Sequence, residues 1–327
     1  MIEYQNLVLN NFQFKDLCNQ QLNCNSFLFE SADEVFLNNF SYCFAQFIFC
    51  SNQQKKPCNL CIQCQKVSLL KHSDLKIYPK NNKNILVDDV KDLIENVNLT
   101  PVESDFKVFI FNNFSSANIQ SQNKLLKILE EPPKNTFIIL NVTNINKVLP
   151  TVASRCKKIR LQPLSKEELK NAVSLNHLSS SESESIFDLS SGSLTKVLNY
   201  SQNESFISTF SSCLKTLIDM RDSKQLIKYS SMLGKTKQVF EISLEIFESI
   251  FRDVLMIRLN KPNLIKNNNI YDKLLIIAQT VNSDAADLII KKIYAIKKQL
   301  EFNCNYVLLV DNLLLYILEV KFLCNKK

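Results

Sequence analysis

Four cysteines lie within fifteen residues and could together hold a metal ion. Their spacing is C-x7-C-x2-C-x2-C, and they are Cys50, Cys58, Cys61 and Cys64. A gap of two residues lets a backbone turn direct neighbouring thiolates at one ion, and zinc prefers four such ligands in a tetrahedron. We therefore expect a Zn2+ site that is structural, because four cysteines leave no open position for water. Four free thiols and an iron–sulfur cluster are the alternatives to zinc.

A second chemical feature is the loop within FLFESADEVFLNN, residues 27–39, which joins a strand-like apolar run to a helix-like one. Many α/β proteins bind phosphate at a connection of this kind. Such a loop needs glycines, so that its backbone N–H groups can surround the phosphate, and a lysine for charge. This loop has neither, and the carboxylates of Glu30, Asp33 and Glu34 would repel phosphate. It is either an ordinary connection or a former nucleotide site that has lost its phosphate-binding residues.

The composition is that of a soluble globular protein with two or three domains. The chain has 327 residues, of which 46% are hydrophobic and 22% charged, enough to bury a sizeable core. A net charge of +7 permits contact with nucleic acid but does not by itself indicate it. The N-terminus lacks the pattern of a secretory signal, and the most apolar late stretch, residues 306–320, is broken by Asp311 and Asn312. We therefore expect an intracellular protein without a membrane partner.

Strand-like and helix-like segments alternate through about the first 160 residues. Short apolar runs indicate strands, and the stretches between them indicate helices, at residues 33–49, 87–98 and 118–133. Such alternation predicts an α/β fold in which a parallel sheet lies between flanking helices. After residues 162–165 the strand-like runs disappear, so the remainder of the chain is predicted to be helical.

Two motifs carry a resemblance to a known family. The segment QNKLLKILEEPPKNTFIIL, residues 122–140, precedes LPTVASRC, residues 149–156, and the cysteine cluster follows the first helix of the α/β region. In this combination the chain resembles the clamp-loader branch of the AAA+ ATPases. The resemblance implies an AAA+ α/β domain with an inserted zinc module at about residues 50–64, a small helical lid domain and an all-helical oligomerisation (collar) domain, at residues 1–162, 163–203 and 204–327.

Two departures from the family's ATPases argue against nucleotide hydrolysis. Those ATPases carry a phosphate loop G-x4-G-K-[ST], but here its two glycines, lysine and hydroxyl residue are replaced by Ser31, Phe36, Leu37 and Asn38. The ATPases also place acidic residues for magnesium after a strand, where this chain has Asn112 and Asn113. Asparagine carries no charge and is a poor base. The resemblance therefore implies a non-hydrolysing member with a degenerate phosphate loop, which binds no nucleotide productively.

The Ser-Arg-Cys motif is the catalytic feature that the chain keeps. In the family, the arginine of this motif reaches across a subunit interface to the ATP of a neighbour, so the resemblance implies that Arg155 is an arginine finger in trans. Ser154 and Cys156 flank it and would orient the turn. A planar guanidinium suits this role because it stabilises charge spread over phosphate oxygens. The alternative is that Arg155 makes only a local salt bridge.

Members with a zinc module and a failed phosphate loop are the delta prime subunits of bacterial DNA polymerase III. The resemblance therefore implies an accessory clamp-loader subunit that helps to load the sliding clamp onto primed DNA, at the replisome in the cytoplasm. Its partners would be the gamma/tau ATPase subunits and the delta subunit, and it would reach the clamp and primer–template DNA through the assembled complex. The alternatives are a divergent gamma/tau-like ATPase and an unrelated zinc-dependent DNA-binding protein.

Overall fold

The chain forms two compact units in the computed structural model. The first comprises Met1–Val173 with Gly192–Lys196, and the second comprises Ser174–Ser191 with Val197–Lys327. The structure describes residues 2–21, 24–80, 84–203, 205–302 and 304–325. The finer division into three domains stays a prediction, and residue 204, where the predicted collar domain begins, lies outside the described residues.

The first unit is built on a parallel sheet that has five strands in the described part of the chain. In chain order, β1 to β5 are Ser26–Glu30, Leu75–Tyr78, Lys107–Phe111, Thr136–Val142 and Lys157–Arg160. Their order across the sheet is β2-β3-β4-β1-β5, and every neighbouring pair is parallel. All residues of β3 and β4 are buried, as expected for central strands that are covered on both faces. The predicted α/β fold is thereby confirmed.

Helices of the first unit surround this sheet. They are α1 to α8, at Gln5–Asn10, Phe12–Asn19, Glu34–Phe49, Ile62–Ser68, Val87–Val97, Ile119–Glu130, Pro150–Ala153 and Lys166–Ala172. Helix α3 follows β1 and packs on it through edge-to-face aromatic pairs. The ring centroids of Phe27 and Phe44 are 5.0 Å apart, and those of Phe29 and Phe40 are 5.2 Å apart. These contacts place the start of α3 at the carboxyl edge of the sheet, where ligands of parallel sheets usually bind.

Gly192 allows the start of residues 192–196 to pack closely against the backbone of Leu164 in the first unit. Gly192 has a φ of +86°, and a Cβ added to it would lie 2.5 Å from the carbonyl oxygen of Leu164. A side chain at this position would therefore be strained and would also clash with backbone. The N–H of Leu164 donates to the carbonyl of Gly192 over 3.0 Å, which holds the two segments together.

The second unit contains helices and no strand in its described residues. Counting α10, whose first residues belong to the first unit, α9 to α16 are Ser180–Ser190, Leu194–Gln202, Phe206–Asp219, Leu226–Leu233, Lys237–Arg258, Tyr271–Thr280, Ser283–Glu301 and Tyr306–Asn325. Helix α13 packs against α11, α14 and α15 and buries Phe247, Ile250 and Phe251 completely. The predicted all-helical character of the C-terminal region is confirmed. Within the described ranges, no helix combines the length and the apolar character that crossing a membrane requires.

Candidate functional site

The N-terminus of α3 is capped by a carboxylate of the chain itself. Asp33 precedes the helix, and its Oδ1 accepts a hydrogen bond from the N–H of Phe36 at 3.1 Å. The same carboxylate accepts from the N–H groups of Leu194 and Thr195 and from Thr195 Oγ1, the last at 2.6 Å. Asp33 is only 6% exposed. Because a helix N-terminus attracts anions, the Asp33 carboxylate satisfies the start of α3 from within the chain.

Three of the residues that the sequence analysis assigned to a replaced phosphate loop, Ser31, Phe36 and Leu37, lie next to this cap. Ser31 Oγ accepts a hydrogen bond from the N–H of Asp33 at 3.1 Å. Phe36 and Leu37 are buried in the first turns of α3. Leu37, which stands at the lysine position of the family's ATPases, therefore contributes to the core of the unit.

Neutral side chains meet at the carboxyl edge of β3 and β4. Asn141 is fully buried on β4, and its Nδ2 donates to Asn112 Oδ1 at 2.9 Å and to Asn38 Oδ1 at 3.1 Å. Ser41 Oγ donates to Asn141 Oδ1, and Asn112 Nδ2 donates to Tyr42 Oη at 2.6 Å. These five side chains carry no carboxylate, and their amide oxygens already accept hydrogen bonds. The arrangement is therefore a poor site for Mg2+, which prefers carboxylate oxygens.

Asn113, the second of the two asparagines assigned to the acidic positions of the family's ATPases, shapes the backbone after β3. Asn113 has φ 50° and ψ 44°, the left-handed conformation that asparagine tolerates better than most residues. It therefore turns the chain into the short 3-10 helix Phe114–Ser116 that follows. Asn141, by contrast, was missed from the sequence, although a lone polar residue within the apolar run TFIILNV is a signal of a buried polar contact.

Arg155 follows α7 and makes a local ion pair in the isolated chain. Its Nε and Nη2 both lie 3.1 Å from Glu130 Oε2, and its Nη1 donates to the carbonyl of Thr151 at 2.9 Å. Ser154 Oγ also donates to the carbonyl of Thr151, at 3.1 Å. Burial raises the pKa of the Cys156 thiol to about 12, so this cysteine is a packing residue and not a nucleophile. The role of Arg155 in trans stays a prediction.

A buried glutamine connects the segment that carries Arg155 to α6. Gln122 Nε2 donates to the carbonyls of Ala117 and Lys147, at 3.0 and 2.9 Å, and its Oε1 accepts from the N–H of Leu149 at 2.8 Å. Three hydrogen bonds to backbone hold the entry to α7 in place. Gln122 is the first residue of the motif at residues 122–140. Its position in the sequence does not indicate which backbone carbonyls its side chain contacts.

The four clustered cysteines converge on one point. The Sγ atoms of Cys50, Cys58, Cys61 and Cys64 all lie within 4.8 Å of one another. A tetrahedral zinc with Zn–S bonds of about 2.3 Å places its sulfurs about 3.8 Å apart. The N–H of Cys58 points to Cys50 Sγ at 3.4 Å, that of Cys61 to Cys58 Sγ at 3.3 Å, and that of Cys64 to Cys61 Sγ at 3.4 Å. The cluster could therefore bind a zinc ion through four thiolates.

Hydrogen bonds to sulfur favour the thiolate at two of the four positions. The backbone N–H of Cys61 lowers the pKa of Cys58. Burial raises the pKa of Cys61, but hydrogen bonds from Ser51 and from the backbone of Cys64 outweigh burial and bring it to about 6. Burial raises the pKa of Cys50 and Cys64. A divalent cation would offset the cost of burying those two thiolates, so this donor set fits zinc.

The cluster is anchored to the α/β unit through two polar contacts. Gln46, fully buried on α3, donates through Nε2 to the carbonyl of Cys64 and to Ser68 Oγ, both at 2.9 Å. Lys66 on α4 pairs with Glu103. Glu103 is in turn held by Asp74, whose carboxylate accepts from its N–H at 2.9 Å. The cysteine module is thus fastened to α3 and to the loop before β3.

Comparisons with known proteins agree on one group of replication subunits. The family model described as "DNA polymerase III, delta subunit" matches residues 5–165, a stretch that includes the sheet, the cysteine cluster and Arg155. The DNA polymerase III subunit delta' of Bacillus subtilis is 24% identical over 84% of this chain and 85% of its own length. These matches support a delta-prime-like clamp-loader subunit. The delta' subunit of Haemophilus influenzae is 35% identical over 35% of each chain.

The gamma and tau subunits of DNA polymerase III are also similar to this delta-prime-like chain. Subunit tau of Escherichia coli is 32% identical over 36% of this chain, a match that covers 18% of tau. Together the matches support a DNA polymerase III clamp-loader subunit of the delta', gamma and tau type.

Replacing Asp33 by alanine in this clamp-loader subunit is expected to loosen residues 194–195. The change removes the acceptor of three backbone N–H groups. A lost N-cap costs about 0.5–2 kcal/mol, and a buried N–H left without an acceptor about 1–3 kcal/mol. Amide hydrogen exchange at Leu194 and Thr195 should become faster, whereas Asp33→Asn should have a smaller effect because its carboxamide oxygen still accepts.

The matched control for Asp33→Ala is Asp105→Ala, which removes an exposed carboxylate from the same unit. It should leave the exchange of Leu194 and Thr195 unchanged. Unaltered exchange at both amides in Asp33→Ala would show that the carboxylate does not hold this segment.

Proposed function

We propose that this chain is the non-hydrolysing delta prime subunit of a bacterial DNA polymerase III clamp loader. The observation that carries the proposal is the capped N-terminus of α3, where the carboxylate of Asp33 stands in place of a phosphate. An ATP phosphate would have to displace this buried carboxylate and would gain no lysine, because Leu37 is in the core. The asparagines at 112 and 113 supply no charge to bind magnesium or to activate water.

The proposed contribution of this chain to ATP hydrolysis is Arg155. The guanidinium is partly exposed on the surface of the first unit, so a phosphate of a neighbouring gamma/tau subunit could approach it. Arginine suits a contact to a transferring phosphoryl group, because its fork of N–H donors matches the oxygens that gain charge in the transition state. Ser154 and Cys156 would hold the turn on either side of it.

The remaining assignments of the proposal concern partners and the metal. The predicted collar domain would join the chain to the gamma/tau and delta subunits, and the assembled complex would contact the sliding clamp and primer–template DNA. Zinc held by Cys50, Cys58, Cys61 and Cys64 would stabilise the inserted module and take no part in chemistry. The proposed role places the protein at the replisome in the cytoplasm.

The test of the proposal is reconstitution with purified gamma/tau and delta subunits. The chain alone is expected to show no ATP turnover above background, and the mixture is expected to form a defined complex that contains this chain. The gamma/tau subunit alone is the positive control for turnover. Substantial turnover by this chain, abolished by a change at Leu37 or Asn112, would identify a divergent ATPase. Absence of any complex would favour a separate zinc-dependent DNA-binding protein.

A further inference from the structure

The hydrogen bonds of Arg155 divide its guanidinium into an occupied and an open edge. A guanidinium has five N–H donors in one plane. The edge formed by Nε and Nη2 faces Glu130 Oε2, at 3.1 Å from each nitrogen, and one N–H of Nη1 is taken by the carbonyl of Thr151 at 2.9 Å. One N–H of Nη1 and one of Nη2 remain, and no acceptor for them is found among the described residues. We call the edge between Nη1 and Nη2, which faces away from the stem of the side chain, the open edge.

The open edge has the geometry that binds an oxyanion. Two parallel N–H groups of one guanidinium can bond two oxygens of a phosphate or carboxylate at once. The Arg155 side chain is 31% exposed, so the open edge is reached from solvent. Glu130 holds the edge formed by Nε and Nη2, Thr151 accepts from Nη1, and the two residues lie on different helices, α6 and α7. The direction of the open edge is therefore determined by two separate anchors.

Both anchors are fixed by the core of the first unit. Glu130 is the last residue of α6, directly after Leu129, which is buried. Thr151 lies in the single turn of α7, whose entry is held by the hydrogen bonds of Gln122 to Lys147 and Leu149. The backbone positions that carry this carboxylate and this carbonyl are thus held by the core, which limits the directions in which the guanidinium can be held.

We propose that Glu130 is a positioning residue for Arg155, which turns the open edge of the guanidinium toward the phosphate of the neighbouring subunit. This inference rests on the proposed function of Arg155. Folding stability does not account for the ion pair, because Glu130 is 60% exposed and pairs of this kind contribute only about 0–1 kcal/mol. A misdirected catalytic group, by contrast, can lower a rate by about 10²-fold.

Four variants in the reconstituted clamp loader test the proposal: Glu130→Ala, Glu130→Gln, Glu131→Ala and Arg155→Ala. Glu131 is the exposed neighbour of Glu130 and the matched control. Glu130→Ala should remove most of the ATP turnover that Arg155→Ala removes, through kcat and not KM for ATP, and should leave thermal unfolding of the chain unchanged. Glu130→Gln should keep most of the turnover, because its carboxamide oxygen can accept from the same two N–H groups. The ATP turnover of the complex with Glu131→Ala should equal that of the unmodified complex.

The outcomes separate this proposal from the one on which it rests. If Arg155→Ala lowers turnover and Glu130→Ala does not, Glu130 has no positioning role although the arginine finger stands. A rise in ATP turnover in Glu130→Ala would mean that the carboxylate restrains Arg155, and this would overturn the proposal. An equal loss of turnover in Glu130→Gln and Glu130→Ala would also overturn it. If Arg155→Ala has no effect, the proposed role of Arg155 itself is wrong.

Discussion

Replacing Arg155 by alanine is expected to lower ATP turnover by the reconstituted clamp loader without preventing folding or assembly. An arginine supplied to a neighbour's phosphoryl-transfer site increases kcat by a factor of about 10³–10⁵. The adjoining ATP site should therefore lose almost all of its hydrolysis. Turnover at the other sites of the complex should persist. The chain itself should stay folded, because the variant loses only a surface ion pair with Glu130 and one hydrogen bond to Thr151.

Two further arginine variants sharpen this test. Arg155→Lys keeps the charge but loses the planar fork, and it should remain close to Arg155→Ala in turnover. Arg160→Ala removes an exposed arginine at the end of β5 and serves as the matched control, with turnover expected to be unchanged. The measurement is steady-state ATPase with clamp and primed DNA present, on complexes shown to have equal subunit content. Normal turnover in Arg155→Ala would remove this residue from the mechanism.

Removal of zinc is expected to unfold the cysteine module and to lower the stability of the first unit. Structural zinc in zinc-finger peptides contributes apparent free energies of about 10–16 kcal/mol, far more than any single side-chain contact in this chain. Cys61→Ser removes one ligand of four and should abolish stoichiometric zinc. The residues between Cys50 and Cys61 should then become sensitive to protease, because they form no helix or strand that could hold them without the metal.

The control for the zinc prediction is Cys304→Ser, which removes an exposed free thiol far from the cluster in sequence. This variant should bind one zinc per chain, as the unmodified protein should. Zinc affinity should fall as the pH is lowered, because protons compete for the sulfurs. Metal analysis that finds iron, or no metal in protein purified without chelators, would contradict the zinc assignment.

Local patterns in the sequence predicted much of the architecture. Alternating strand-like and helix-like runs are enough to indicate a parallel sheet, because each buried parallel strand must be followed by a crossover. The two-residue gaps of the cysteine cluster indicate a metal site, because neighbouring ligands on one turn are a local property of the backbone. The four cysteines are near each other in the chain, and for the sheet only the alternation of elements is local, since Ser26 pairs with Ile138.

The residues that the sequence did not reveal are those with distant partners. Asn141 and Asn38 are hydrogen-bonded although they are 103 residues apart, and Asp33 and Thr195 are 162 residues apart. The first pairing depends on the strand order β2-β3-β4-β1-β5, which sets β4 beside β1 and which no local period encodes. The second depends on where α10 packs. Glu130, although it lies in a quoted motif, was not recognised as the partner of Arg155, because the pairing requires α6 and α7 to meet.

By itself, then, the sequence determined the fold class, and it predicted the four cysteine ligands of a metal and a phosphate loop without glycine and lysine. These follow from residue types and from spacings shorter than one helix or loop. Only the tertiary structure decided that the Asp33 carboxylate caps α3 and accepts from Thr195, and that the guanidinium of Arg155 is held by Glu130 and Thr151. The direction of a side chain is set by the elements packed around it, and packing brings together residues that the linear chain keeps apart.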